Sequence, residues 1–378
     1  MSKSSTFFSR SINSTSKPRD SQKVLDKLIL PGLIDPHVHL RDPGQTNKED
    51  FYTGTCAAIA GGFTTILDMP NNKIPITTNK LLNEKIKIAK GKIACDVGFH
   101  FGSLGDNINE LKKIKQKVTG LKLYLSLTTG GFIIPKEKVE KIFKIWPKNK
   151  VILLHAEDNT LDFVISLAKK LHNKIHICHI STTEDLKKII KAKKRRIKIS
   201  CGVTPHHLFL TERDVKHLGS FGKMKPPLQN KKDQDFLWKN LKFIDVIESD
   251  HAPHTIDEKR GVMPAFGVPG LETTLPLLLT EVSKKKLKIK DIIRLCHTNP
   301  AKIFNIKTDK KTKVEVDLSE EYIIKNKNLF TKCKWSSFEN RKVKGKLLRV
   351  FIRGKKVFEN GKILSKKGSG KIVYSIIE

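Results

Sequence analysis

Eight short apolar segments alternate with amphipathic helical patterns along most of this chain, and this alternation limits the fold more than any other feature. The segments predicted as buried strands are Leu28–Ile34, Thr64–Met69, Ala94–Phe99, Gly120–Leu125, Val151–His155, Lys174–His179, Ile197–Cys201 and Val246–Ser249. Helical periodicity predicts helices between several of them, at Ile108–Lys117, Lys136–Ile145, Leu161–Leu171 and Glu184–Ala192. Eight strands alternating with helices predict an α/β fold, a (β/α)8 TIM barrel. A doubly wound parallel sheet is the alternative.

The last part of the chain has a different character. Alternating patterns predict β-structure at 313–316, 347–352, 355–358 and 372–375, with an Asn-Gly turn at Asn360. We therefore predict a barrel over residues 23–305 and a small β-rich appendage over residues 306–378. The appendage is expected to pack with the residues just before the barrel.

Residues 1–22 form a third region, rich in Ser and Thr and without an acidic residue before Asp20. A disordered tail and an organelle transit peptide share this composition. We favour a tail, and hence a cytoplasmic protein with organelle targeting as the alternative.

Composition narrows the range of partners. Lys and Arg number 73 and Asp and Glu 38, giving a formal charge of +35 over 378 residues. Lysine is spread over predicted outer helix faces, so we expect no nucleic-acid partner and attribute the charge to composition and to attraction of anionic substrates. No run of about 18 uncharged apolar residues predicts a membrane span. The six cysteines form no C-x-x-C pair, which predicts reduced thiols.

Polar residues with metal-binding chemistry follow the predicted strands. His37 and His39 are two residues apart, so in a strand they share one face. Because the carboxyl ends of barrel strands meet at one rim, we expect the whole set to converge there. The set comprises His37, His39, Asn71, Lys122, His155, His179 and Asp250. Imidazoles with a carboxylate suit Zn²⁺ or a similar divalent ion.

Lys122 is unusual because it lies inside the apolar segment Gly120–Leu125. A buried ammonium is costly. The residue either reaches solvent from the strand end or stays neutral and reactive. A neutral amine can add CO₂ to form a carbamate, whose two oxygens can bridge two metal ions.

Several motifs in a fixed order resemble those of the dihydroorotases of the amidohydrolase superfamily. The similarity is greatest to the dihydroorotase domain of the animal multifunctional pyrimidine-synthesis protein and extends from about residue 30 to 361. It is carried by Gly32–Gly44, Met69–Asn71, Gly120–Leu125, His155–Glu157, His176–His179, Thr204–Leu210, Ser249–Thr255 and Pro269–Leu279.

This resemblance implies a dinuclear zinc site. His37, His39 and Asp250 would bind one Zn²⁺, and His155 and His179 the other. Lys122, as N6-carboxylysine, would bridge the two ions. A hydroxide between the ions would be the nucleophile. Asp250 would be the general acid and base in the reversible cyclisation of N-carbamoyl-L-aspartate to L-dihydroorotate, a step of pyrimidine biosynthesis.

The resemblance also implies how substrate is held. Arg41, Asn71 and His254 would bind its carboxylate, since a guanidinium forms a fork that fits this group. Thr128 would contact substrate from a loop that closes over it. Pro269 and Gly270 would line the pocket with backbone groups.

Arg41 favours a dihydroorotase over the alternative enzymes, because a dihydropyrimidinase, hydantoinase or allantoinase acts on an uncharged ring and has no need of this guanidinium. A non-catalytic scaffold relative is a further alternative.

A homodimer and an association with aspartate transcarbamoylase are expected from the family. Two positions depart from the animal domain: Gly202 stands where it has Glu, and Thr129 where it has Phe.

Overall fold

The computed structural model describes residues 27–126 and 133–376 and shows a barrel joined to a second, smaller sheet. The first strand, β1 (Lys27–Pro31), belongs to the smaller sheet. The barrel consists of eight parallel strands in sequential order, β2 (Leu33–Val38), β3 (Phe63–Asp68), β4 (Asp96–Gly102), β5 (Gly120–Tyr124), β6 (Val151–His155), β7 (Lys174–Ile177), β8 (Ile199–Val203) and β9 (Val246–Ile247).

The barrel closes where its first and last strands meet. Val38 and His251 form a parallel bridge, and the His39 N–H donates to the His251 carbonyl at 2.8 Å. The fully buried Asp35 carboxylate accepts the backbone N–H groups of His37 at 3.0 Å and Ser249 at 3.1 Å. These contacts bring the β2 end beside the segment after β9, and the predicted barrel is confirmed.

Helices cover the outside of the barrel. Their bounds are α1 (Phe51–Ala60), α2 (Asn79–Lys90), α3 (Ile108–Ile114), α4 (Lys136–Ile145), α5 (Asp158–Leu171), α6 (Thr183–Lys194), α7 (Pro205–Phe209), α8 (Glu212–Leu218), α9 (Lys231–Lys239), α10 (Ile256–Arg260), α11 (Leu271–Ser283), α12 (Ile289–Ile293) and α13 (Asn299–Phe304). Helix α2 illustrates how the local sequence forms these helices, through a capping residue and one buried face. Thr78 caps its start by accepting the Leu81 N–H at 3.2 Å, and Leu82 is buried while Lys80 and Lys87 are exposed. None of the helices in the described ranges is long and apolar enough to cross a membrane.

The smaller sheet is antiparallel, in the order β1, β10 (Lys313–Ile323), β11 (Lys342–Ile352), β12 (Lys355–Glu359) and β13 (Lys362–Ile363). It thus pairs the residues before the barrel with the C-terminal region, as predicted. The domain boundaries at 22/23 and 305/306 stay predictions, and the first lies outside the described residues.

Two predicted strands differ from the structure. The segment Leu28–Ile34 divides at Gly32, where a Cβ would lie 2.3 Å from Thr64 Oγ1, so the chain passes closely between the two sheets there. The segment 372–375 does not join the appendage sheet. It runs beside β4 instead, through a bridge between Val97 and Ile372.

The connection between β10 and β11 is fastened to the barrel by side chains. Glu272 accepts the backbone N–H groups of Phe330 at 2.8 Å and Thr331 at 2.9 Å. Trp335 Nε1 donates to the His254 carbonyl at 2.7 Å. Burial raises the pKa of Glu272 to about 7, although these two N–H groups act in the opposite direction.

This pKa predicts how stability changes with pH. A carboxyl with a folded pKa of about 7 and an ordinary value of 4.5 binds protons more strongly in the folded state, so its contribution to stability falls as pH rises between those values. We expect Glu272→Gln to remove this pH-dependent loss. The difference in free energy of unfolding between the variant and the parent protein should therefore be more favourable to the variant at pH 8 than at pH 5, by at most about 3 kcal/mol. Denaturant unfolding at both pH values measures it. The exposed Glu184→Gln is the control, and an unchanged pH dependence in Glu272→Gln would contradict the assignment.

Candidate active site

A polar pocket opens at the carboxyl ends of the barrel strands. It is lined by His37, His39, Arg41, Asn71, Tyr124, His155, His179, Lys225, Asp250, Ala252, Phe266 and Gly267. The pocket therefore lies at the rim where barrels of this kind place their chemistry.

Asp250 organises one side of the pocket. Its Oδ1 lies 3.2 Å from His37 Nε2 and 3.0 Å from His39 Nε2. Burial acts to raise the pKa of Asp250, but His37 and His39 outweigh it and hold that pKa below its ordinary value. For His37 burial lowers the pKa, yet Asp250 outweighs it and raises the pKa to about 10. Asp250 is thus an anion at neutral pH and can bind a proton or a metal ion.

The His39 ring gives a test of whether a cation fits. Its Nδ1 donates to Asn71 Oδ1 at 2.7 Å, which leaves the lone pair of Nε2 facing the Asp250 carboxylate. Burial lowers the pKa of His39 to about 4, so the ring is neutral near pH 7. A lone pair facing a carboxylate oxygen is repulsive unless a cation lies between them. The donor set thus fits a divalent metal ion.

Two further histidines form the other side. His155 Nδ1 lies 3.0 Å from His179 Nε2, and the His37 and His179 ring centroids are 5.2 Å apart. Burial lowers the pKa of both His155 and His179, so both rings are neutral. The ligand atoms of His37, His179 and Asp250 all lie within 4.8 Å of one another. The neutral imidazoles of His155 and His179 and the anionic Asp250 have the chemistry of metal ligands.

Lys122 lies beneath these residues, completely buried in β5. Its Nζ lies 3.1 Å from Cys178 Sγ and 5.0 Å from the centre of the Tyr124 ring. Within residues 27–126 and 133–376, no carboxylate oxygen lies within 4.0 Å of this nitrogen. Burying an ammonium group without a carboxylate partner costs free energy.

Three pocket residues have left-handed backbone, namely Arg41 with φ of 64°, His179 with 39° and Asp250 with 45°. Each follows the end of its strand, where the chain turns outward. Such conformations persist only where the surroundings impose them, and they are typical of functional sites.

Arg41 is the cation at the pocket wall, and its side chain is 5% exposed. Its Nε donates to the Pro253 carbonyl at 3.2 Å, and its Nη2 to His254 Nε2 at 3.1 Å. Burial, followed by the charge of Arg41, lowers the pKa of His254 to about 2, so this ring is a neutral acceptor. No carboxylate in the described part of the chain lies within 4.0 Å of the guanidinium nitrogens. A buried guanidinium without a counterion is suited to an anionic ligand.

The structure brings the six predicted metal ligands together, with Asn71 and His254 beside them. Thr128 and Thr129 lie outside the described residues. Pro269 and Gly270 are predicted to line the pocket with backbone groups. The residues after Asp250 that line it in the structure are Ala252, Phe266 and Gly267. The Gly270 N–H donates to His251 Nδ1 at 3.2 Å.

Sequence reasoning missed Tyr124, Lys225 and Glu248. Tyr124 is the second residue after Lys122 in β5, so strand alternation could have indicated it. Lys225 and Glu248 carried no such signal, because lysine is common here and Glu248 reads as part of an apolar strand.

Comparison with known proteins places this geometry in a family. Residues 28–204 match the amidohydrolase family. A dihydroorotase from Pyrococcus horikoshii is 39% identical over 369 residues, with 92% of this chain and 85% of that protein covered. The chain belongs to the dihydroorotase family. Multifunctional protein CAD from Squalus acanthias is 42% identical over 350 residues, but this chain spans only 16% of that protein.

Solved structures share the fold. An L-hydantoinase (dihydropyrimidinase) from Arthrobacter aurescens matches with a TM-score of 0.87 at 25% identity, covering 92% of this chain and 89% of that one. The inactive dihydroorotase-like domain of a CAD-like multifunctional protein from Chaetomium thermophilum matches with a TM-score of 0.79 at 26% identity, covering 92% and 99%. The dihydroorotase family fold therefore supports related cyclic-amide chemistry and also occurs in an inactive form, so function has to be argued from the residues of the site.

The contact between Asn71 and His39 generates a prediction for this family member. Asn71→Ala removes the acceptor that keeps His39 Nε2 pointing at Asp250, so we expect zinc affinity to fall about 10–100-fold. Asn71→Asp retains an acceptor and should keep most of the affinity. Zinc titration of metal-free protein measures this, with Asn72→Ala as the neighbouring control. An unchanged zinc affinity in Asn71→Ala would restrict Asn71 to substrate binding.

Proposed function

We propose that this member of the dihydroorotase family catalyses the reversible cyclisation of N-carbamoyl-L-aspartate to L-dihydroorotate, the biosynthetic direction in pyrimidine synthesis. The observation that carries the proposal is the buried Arg41 guanidinium without a carboxylate partner, beside the converging histidines. A small anionic ring placed in this pocket would have its carboxylate against Arg41 and its amide bond toward the histidine cluster.

We propose further that the residues hold two Zn²⁺ ions per chain. His37, His39 and Asp250 would hold one, His155 and His179 the other, and carboxylated Lys122 would join them. This is supported by the neutral state of His39, His155 and His179 and by the anionic state of Asp250. When bound, such ions polarise an amide carbonyl and lower the pKa of water.

Side chains of the protein orient the substrate and transfer the proton. Arg41 orients the substrate through its carboxylate, and His254 keeps the guanidinium in place by accepting from Nη2. Asp250 is a carboxylate at neutral pH and lies at the pocket surface, so it can take a proton from the attacking water. It can then return that proton to the ring nitrogen as the amide bond breaks. The reverse order of the same transfers closes the ring.

The substrate assignment is tested at Arg41. Purified protein with zinc and bicarbonate should interconvert carbamoyl aspartate and dihydroorotate. Arg41→Gln should lower kcat/KM about 10²–10³-fold, because the pocket loses a charge-assisted pair of hydrogen bonds. Turnover is measured by absorbance of dihydroorotate in both directions.

The control for this prediction is Arg349→Gln in the appendage, which should leave kcat/KM unchanged. Faster turnover of dihydrouracil, hydantoin or allantoin than of dihydroorotate, insensitive to Arg41→Gln, would establish the related cyclic amidohydrolases instead. No turnover of any of them by zinc-loaded protein would favour a scaffold.

The role of Lys122 is tested by removing its amine. Lys122→Met keeps a buried unbranched side chain but cannot carry CO₂, so we expect bound zinc to fall from two ions to one or none and activity to fall at least about 10³-fold. Metal analysis and intact mass measure the two effects. Lys150→Met, which alters another buried lysine, should keep both ions. Full zinc content and activity in Lys122→Met would contradict the bridging role.

Three statements about context stay proposals: a homodimer, an association with aspartate transcarbamoylase and a cytoplasmic location. They are supported only by the family, and sedimentation of the purified chain with and without that enzyme would test the first two.

A further inference from the structure

Glu248 is a second carboxylate beside the predicted metal ligands, and the mechanism above does not use it. It follows β9 two residues before Asp250 and is completely buried. Its Oε1 accepts the backbone N–H of His179, and its Oε2 lies 3.2 Å from His176 Nε2. The same Oε2 lies 3.6 Å from His37 Nδ1.

These contacts act on the ligands from behind. His37 Nε2 faces Asp250 at 3.2 Å, whereas His37 Nδ1 faces Glu248. At 3.6 Å the Glu248 oxygen does not hydrogen-bond Nδ1, but its negative charge attracts a proton at Nδ1, so a bound metal ion would replace the proton at Nε2. The His179 backbone, which has left-handed φ, is held by the other oxygen of the same carboxylate. One side chain thus links a histidine from each side of the pocket.

The neighbouring strand β8 leaves room for this carboxylate only because it carries glycine at 202. A Cβ at Gly202 would lie 2.4 Å from both the carboxyl carbon and Oε1 of Glu248. Carbon atoms do not approach this closely, so any side chain at 202 would displace the Glu248 carboxylate. Since its two oxygens are held by His176 and His179, it cannot move aside without losing those contacts.

We propose that Glu248 is a positioning residue that orients His37 and His179 for metal binding, and that Gly202 is the partner position that makes its placement possible. Glycine at 202 in β8 thus leaves the space that the carboxylate of Glu248, from the segment after β9, occupies. The metal-binding part of this inference does not depend on the substrate, and only its catalytic consequence rests on the proposed function.

A packing role would not require this chemistry. A fully buried carboxylate costs free energy unless its oxygens are paired, and an apolar residue of similar size would fill the space without that cost. The partners of Glu248 include two candidate ligands, not the apolar core. The ligand atoms of His37, Cys178 and Glu248 also lie within 4.8 Å of one another, so direct ligation by Glu248 is the competing role.

The test measures zinc affinity and stoichiometry on metal-free protein, together with thermal unfolding. Glu248→Gln keeps the size of the side chain, and we expect zinc affinity to fall about 10–100-fold while the fold is retained. Glu272→Gln is the matched control, because Glu272 also accepts backbone N–H groups but lies away from the pocket ligands. It should leave zinc affinity unchanged.

Gly202 supplies an independent variant if Glu248→Gln fails to fold. Gly202→Ala should reduce zinc affinity by a similar factor, because the added methyl displaces the carboxylate. In a double variant, Gly202→Ala should add little to Glu248→Ala, because the group that the methyl displaces is already gone. Additive losses would contradict the coupling.

Three outcomes decide the proposal. Zinc affinity within twofold of the parent in both Glu248→Gln and Gly202→Ala would overturn it. A third bound ion that disappears in Glu248→Gln would make Glu248 a ligand and would also overturn the positioning role. Reduced zinc affinity together with two ions in the parent protein supports it. If the parent protein binds zinc but does not convert carbamoyl aspartate, the proposed function fails while this inference is still tested by the affinities.

Discussion

Closure of the barrel between β2 and the segment after β9 is the contact on which the site depends. His37 and His39 come from the start of the chain and Asp250 from more than two hundred residues later. They meet because Val38 pairs with His251 and because the buried Asp35 carboxylate accepts the N–H groups of His37 in β2 and of Ser249 after β9. The backbone hydrogen bonds that close the sheet therefore also set the distances between imidazoles and carboxylate. Even a small change in this register would separate the groups that face one another.

Charge is distributed unevenly around this junction. Asp250 and Glu248 are anionic and paired with imidazoles, whereas Lys122 and Arg41 are buried without a carboxylate within reach in the described parts of the chain. Buried groups with unmet electrostatic requirements are costly to a folded protein. Under the proposed function, an anionic substrate would complete Arg41, and CO₂ with metal ions would complete Lys122.

The appendage contributes to the pocket rim as well as to the exterior. The connection between β10 and β11 is held by Glu272, and its Trp335 donates to the backbone of His254, which in turn accepts from Arg41. The edge of the pocket that carries Arg41 is therefore supported by residues from distant parts of the chain. Lys259 adds to this support by donating to the carbonyls of Ala265 and Gly267, next to the pocket wall.

The sequence alone was sufficient for the alternation of eight strands with helices, and hence for the barrel and for convergence of His37, His39, Lys122, His155, His179 and Asp250 at one rim. Strand periodicity and the common direction of parallel strands determine that much. It could not reveal that the segment around Gly32 passes from one sheet to the other, nor that Asn71 holds the His39 ring. It also could not show that Glu248 occupies the space left by Gly202. These features depend on which side chains meet across neighbouring strands, and contact distances between residues far apart in sequence are decided only when the sheet closes and packs.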